Sequence, residues 1–125
     1  MHTFDYDFRR KPSTPVLQVE VQNHQTGAGQ THTGIIDTGS DMTLIPLSVA
    51  RQLRLSQDDW LLIEGINQSP RRVPKFVGTV AVGEFAIRLR LIGDPEFNEV
   101  ILGRDFLNHF VLTLDGFALT TTITR

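Results

Sequence analysis

Leu17, Val19 and Val21 alternate with Gln18, Glu20 and Gln22, the period-two pattern of a strand that buries one face. The polar, glycine-containing stretch 25–30 follows, so a hairpin into residues 31–36 is predicted. Residues 42–45 make a short apolar strand. Pro46 then suits the first turn of a short helix that carries Leu47, Ala50 and Leu53 three apart on one face. Strands are predicted over 73–82 and 84–92, either side of Gly83, and over 100–102, with a second short helix over 104–108. A final strand is predicted over 117–124, where Phe117, Leu119 and Ile123 alternate with Ala118, Thr120, Thr122 and Thr124. Many short strands at close spacing predict an all-β, closed-barrel-like fold with one or two short helices.

Residues 1–15 have a different texture. Phe4, Tyr6 and Phe8 alternate with Asp5 and Asp7, then Arg9-Arg10-Lys11 leads into Pro12-Ser13-Thr14-Pro15. The alternation fits a short edge strand and the proline-rich end fits a linker, while a loosely held terminus fits equally well. The division expected is an N-terminal arm or linker over 1–15 and a single domain over 16–125.

Charge and composition narrow the function classes. A formal net charge of −2 gives no electrostatic reason to expect a nucleic-acid partner. With no cysteine, a disulfide framework, a thiolate metal site and a thiol nucleophile are all ruled out. His2, His24, His32 and His109 are scattered without ligand spacing, so neither a metal nor any other cofactor is expected. No stretch has the roughly 18 to 20 apolar residues of a membrane helix, and no apolar leader follows a basic start, so a cytoplasmic location is expected.

The candidate chemistry lies at Asp37-Thr38-Gly39-Ser40, between Ile35-Ile36 and the apolar run that starts at Met42. A carboxylate set between apolar segments is expensive if buried, because burial disfavours the ionised form. Catalysis is one reason to keep it there. An ordinary Asp/Gly loop turn is the bland alternative. The downstream string Ile101-Leu102-Gly103-Arg104 sharpens the case for chemistry.

These two strings resemble the paired active-site motifs of retropepsin-like aspartic proteases, and the likeness runs from about residue 16 to residue 110. The resemblance implies a retropepsin (acid protease) fold that is homodimeric. A chain with one Asp-Thr-Gly must take its second catalytic carboxylate from a twin, so Asp37 would face its own symmetry mate across a two-fold axis. It further implies that Thr38 bonds to the partner chain and that Gly39 lets the turn bend. Ile101, Leu102 and Gly103 would support the turn from behind. Asp41 and Arg104 match positions that form an ion pair near the dimer interface in retroviral members, the alternative being two independent surface charges. Ser40 stands where retroviral proteases usually have Ala. Its hydroxyl is expected to bond the outer oxygen of Asp37, lower the titration range of the pair and make the optimum more tolerant of acid.

The same resemblance implies a substrate-covering flap between the two motifs. Its tip would be Glu64-Gly65-Ile66-Asn67-Gln68, followed by Ser69-Pro70, with residues 61–63 and Val73 as arms; a plain surface hairpin is the alternative. Pro70 and Pro74 in the return arm leave its register open. Trp60 either lines a pocket or packs in a core or at a strand end. Ile36, Leu44, Ile66, Val77, Val80 and Ile101 are candidate subsite walls. Asp105 is placed to cap the second helix and Asp115-Gly116 suits a hairpin turn. The expected function is endopeptidase cleavage of extended or unfolded polypeptide segments. The alternative is a dimeric peptide-binding module that does not cut, because function resides in the site and not in the fold.

Overall fold

One pairing turns an open sheet into a barrel. In a computed structural model of the chain, which describes residues 1–63 and 69–125, seven strands form a sheet in the order β2-β3-β8-β4-β7-β6-β5, and β2 also pairs with β6. The strands are β1 (His2–Asp5), β2 (Val16–Gln22), β3 (Gly29–Ile36), β4 (Leu44–Pro46), β5 (Ser56–Ile63), β6 (Arg71–Val82), β7 (Phe85–Asp94), β8 (Val100–Leu102), β9 (Val111–Asp115) and β10 (Thr120–Thr124). Two short helices, α1 (Leu47–Gln52) and α2 (Arg104–Leu107), complete the described residues. Strands β1, β10 and β9 make a separate three-stranded sheet.

The alternation in β2 does what its period predicts. Leu17, Val19 and Val21 are fully or almost fully buried and meet Val80, Leu91, Leu102 and Phe106 in one core. The turn into β3 is organised by Asn23, whose Oδ1 accepts from the backbone N–H of Gln25 (2.9 Å), while Gly27 takes the left-handed backbone at φ +78°. Pro46 stands at the N-cap of α1, and Ala50 and Leu53 on the apolar face of that helix are buried. No helix among the described residues is long and apolar enough to cross a membrane.

Several elements differ from expectation. The last strand begins at Thr120, not at residue 117. Asp115 Oδ1 accepts from the N–H groups of Phe117 (3.0 Å) and Ala118 (2.8 Å), which draws 116–119 into a turn, leaving Phe117 exposed and Leu119 at φ +58°. Strand β9 has no counterpart in the sequence pattern, because its outward side chains include Val111 and Leu114. Of the readings for the N-terminal residues, the edge strand is realised: β1 pairs with β10, Tyr6 is buried, and Asp7 bridges to Thr14. Trp60 sits in neither a core nor a strand end. It is half exposed in the middle of β5, with the Arg72 guanidinium 4.9 Å from its ring centroid.

The two expected flap arms are adjacent strands. β5 and β6 pair antiparallel with Trp60 opposite Pro74, Leu61 opposite Val73 and Ile63 opposite Arg71. Pro74 lies one residue past the Lys75–Ile92 pair, where β7 stops flanking β6, so its missing N–H costs the sheet little. The tip residues Glu64, Gly65, Ile66, Asn67 and Gln68 fall outside the described residues.

Candidate active site

β3 ends by delivering Asp37 to the end of the barrel. It runs parallel to β8, with Ile35 beside Ile101 and Ile36 beside Leu102, and the Asp37 N–H donates to the Leu102 carbonyl at 3.0 Å. The two motifs, about sixty residues apart in the chain, are therefore neighbours. The turn closes on itself: Gly39 N–H donates to Asp37 Oδ1 (2.9 Å) and Ser40 N–H to the Asp37 carbonyl (3.2 Å). A Cβ at Gly39 would lie 3.2 Å from Asp37 Oδ1, so a larger residue would crowd the carboxylate.

Arg104 ties the turn to α2. Its N–H donates to the Ser40 carbonyl (2.9 Å), one guanidinium nitrogen donates to the Thr38 carbonyl (2.6 Å), and another pairs with the Asp41 carboxylate. Asp41 and Arg104 are thus partners within one chain rather than independent charges. Gly103 packs so closely behind the turn that a Cβ there would lie 2.5 Å from the carbonyl carbon and oxygen of Met42.

Two sequence-based expectations are corrected here. The Ser40 hydroxyl does not reach Asp37. It donates to the Met42 carbonyl at 2.7 Å, bracing the backbone after the turn, and the argument for an acid-shifted optimum loses its basis. Asp105 does not cap α2, whose N-cap is Gly103 with no side-chain cap bond. Its carboxylate instead accepts from the Thr43 hydroxyl (2.7 Å) and the Thr43 N–H (3.1 Å).

Thr43 is the residue that motif reading missed. It is fully buried, and its hydroxyl oxygen also accepts from the Gly103 N–H at 3.1 Å, joining the lead-in to β4, the Gly103 turn and α2. A signal was available. A lone hydroxyl in a buried apolar strand must find a partner, and carboxylates nearby in the fold are the natural acceptors.

Asp37, Thr38 and Gly39 are exposed in the single chain, so the burial cost anticipated for Asp37 is not incurred there. Of the candidate walls, Val80 is fully buried in the core and cannot line a cleft. Ile36 packs against that core, whereas Leu44 and Ile101 are half-buried and lie directly opposite each other across β4 and β8. Ile66 is outside the described residues.

One further charged group lies near the arms. Asp94 is fully buried at the end of β7 and takes a two-pronged ion pair from Arg71 at the start of β6 (2.8 and 3.2 Å). Burial pushes the Asp94 carboxyl up, but the Arg71 guanidinium and the Glu96 N–H outweigh it and hold the group below its ordinary range. Among the described residues no group of three His, Cys, Asp or Glu side chains could hold a metal ion.

Comparison with known proteins bears on this arrangement. The family model described as gag-polyprotein putative aspartyl protease matches residues 19–109, more than half of the chain. No curated protein matches it in sequence. Among solved structures, a retropepsin-like aspartic protease from Rickettsia conorii is 12% identical with a TM-score of 0.66, over 99% of this chain and 92% of that one. The EIAV protease, complexed with the inhibitor HBY-793, is 20% identical with a TM-score of 0.53, over 78% and 88%. A foamy viral protease–reverse transcriptase is 18% identical with a TM-score of 0.55, and the match covers 78% of this chain but only 12% of that much longer polypeptide. At these identities the likeness is one of fold, and the fold is the retropepsin barrel.

Proposed function

Because the chain belongs to the gag-polyprotein aspartyl protease family, we propose that it is an aspartic endopeptidase, active as a homodimer with one catalytic Asp37 per subunit. The observation that carries the reading is the turn itself. A single carboxylate per chain stands exposed on a backbone braced by Leu102, Ser40 and Arg104, which suits half of a shared site.

Two Asp37 carboxylates about 3 Å apart would repel by roughly 5 kcal/mol at an effective dielectric of 20, so the pair holds one proton between them. That sharing is the established pattern of aspartic proteases. The ionised member takes a proton from a bound water as the water attacks the peptide carbonyl, and the protonated member donates to the carbonyl oxygen. Thr38, exposed beside Asp37, would secure one turn against the other. The three-stranded sheet and its β9–β10 turn offer a second copy the exposed apolar side chains of Val111, Leu114 and Phe117, which supports the dimer reading. Ile101, Leu102 and Gly103 back the turn, with Asp41 and Arg104 holding its flank. The β5–β6 hairpin, tipped by Glu64 to Gln68, acts as the flap over an extended peptide. Residues 16–125 form the catalytic unit and 1–15 its arm.

The test is a diverse peptide pool incubated from about pH 3 to 8 with the protein and with Asp37→Asn, new termini being read by mass spectrometry. Cleavage at mildly acidic pH that vanishes in the variant is the expected outcome. Intact peptides at concentrations where the protein is dimeric would favour a binding module instead.

A further inference from the structure

We propose that a groove on the outer edge of the cleft, where the cations Lys75 and Arg88 stand without ion-pair partners, takes acidic residues in the flanks of the substrate, about four residues from the scissile bond. The inference rests on the protease reading for its cleft, but its chemistry is tested separately below.

The strand register leads from the catalytic turn to this groove. Ile35 lies beside Ile101, Ile101 beside Leu44, Leu44 beside Ile92 and Ile92 beside Lys75. Directly opposed residues project to the same face of a sheet, so one continuous row starts two residues before Asp37 and ends in an ammonium group. Ile35, Ile101 and Leu44 are half-buried and suit the centre of an extended peptide, while Ile92 is buried and only carries the row on to Lys75. Lys75 ends the apolar character. Strands lie about 4.8 Å apart, which puts Lys75 roughly 14 Å from Ile101, and an extended chain advancing about 3.3 Å per residue covers that distance in about four residues.

Beyond Lys75 the surface opens into a groove of about 620 Å³ lined by Met42, Val77, Arg88, Arg90 and Asp105. Met42 joins this groove to the active-site turn, since its carbonyl accepts the Ser40 hydroxyl. Three cations, Lys75, Arg88 and Arg90, meet three carboxylates, Asp58, Asp59 and Asp105, in and beside the groove, but each carboxylate is already engaged. Arg90 pairs with Asp58 at 2.6 Å, and both oxygens of Asp105 are engaged by Thr43. Asp59 lies across from Lys75, but its Oδ1 accepts the Trp60 N–H. Among the described residues Lys75 and Arg88 have no carboxylate within ion-pair distance. They are left to an incoming anion, and a side-chain carboxylate of an extended peptide is the anion a protease cleft presents. A two-fold dimer would carry one such groove at each end of the cleft, selecting acid on both sides of the cut.

The experiment uses one apolar-centred peptide in three forms, with Glu, Gln or Lys four residues from the scissile bond on both sides. Cleavage is measured as kcat/KM, and affinity as fluorescence anisotropy on Asp37→Asn, at low and high salt. The Glu form should exceed the Gln form about three- to tenfold at low salt in both assays, and the advantage should shrink toward one at about 1 M salt, where screening reaches ~3 Å. In Lys75→Glu/Arg88→Glu the order of the Glu and Lys forms should reverse. Lys75→Gln/Arg88→Gln, which adds no charge, should abolish the preference. A Glu-to-Gln ratio within twofold of one at low salt overturns the proposal, as does an absence of both cleavage and binding. Binding that favours Glu with no cleavage of any form would sink the protease reading and leave the groove standing.

Discussion

The Asp37–Ser40 turn and the β5–β6 hairpin are held by different means. The turn is fixed by its backbone: Asp37 to Leu102, Arg104 to Ser40, and Arg104 again through its side chain to Thr38. The hairpin depends on strand pairing and, where its return arm begins opposite Ile63, on one buried ion pair between Arg71 and Asp94. Backbone bonds laid across three elements permit little displacement. Strand pairing with one side-chain ion pair is the looser construction. A site that must hold a nucleophilic water in place and still admit a polymer needs both kinds of construction.

The strongest blow to the turn's chemistry is Asp37→Asn. It should lower kcat by about three orders of magnitude or more while the thermal midpoint stays near that of the parent, since the carboxylate is exposed and only the Gly39 N–H bond leans on it. Parallel peptide assays and calorimetry check this. Gly103→Ala attacks the backing of the turn instead. Its Cβ would sit 2.5 Å from the Met42 carbonyl, so a loss of about 3 kcal/mol is expected in urea unfolding, with activity falling alongside.

At the hairpin, Asp94→Asn should cost about 2 kcal/mol, because Arg71 keeps a half-satisfied guanidinium, part of which remains in water. The pH dependence has a definite sign. The folded pKa of Asp94 is lowered, so its contribution is complete above the unfolded value near 4 and is lost as pH falls through the folded value. The stability of Asp94→Asn measured from pH 6 down to 2 should therefore fall less steeply at the acid end than that of the parent. The smallest effect is Ser40→Ala. It removes one hydrogen bond to Met42, worth about 1 kcal/mol, and should leave the acid limb of kcat/KM where it was. An acid limb displaced by half a unit or more would restore the direct Ser40–Asp37 bond.

The sequence was most readable where local pattern and burial coincide. Strand β2 could be read from its alternation, α1 from Pro46 and its apolar spacing, and the turn from Asp37 to Ser40 with its partner string from their resemblance to the paired motifs of retropepsin-like proteases. It was least readable where a partner lies far along the chain. Asp105 looks like a helix cap until Thr43, 62 residues away, offers it two donors. Ser40 reads as a partner for Asp37 until the path of the backbone brings the Met42 carbonyl to its hydroxyl. Strand β9 was hidden because it exposes Val111 and Leu114, which breaks the alternation a half-buried strand usually shows. The terminal reading failed at Phe117 for the opposite reason: the alternation was present, but the Asp115 carboxylate recruited those residues into a turn.

The Asp37–Leu102 bond also has a consequence for synthesis. On the ribosome, a chain grows at about 5 to 20 residues per second, and contacts between distant segments close late. Until β8 and Arg104 have emerged, the Asp-Thr-Gly segment has nothing to lean on and stays a loose end of β3. The nascent polypeptide therefore carries the Asp37 carboxylate for several seconds without the scaffold that fixes it in the complete chain. Chains halted before residue 100 should show fast amide exchange at Asp37 and Ser40, and released full-length chains slow exchange at both.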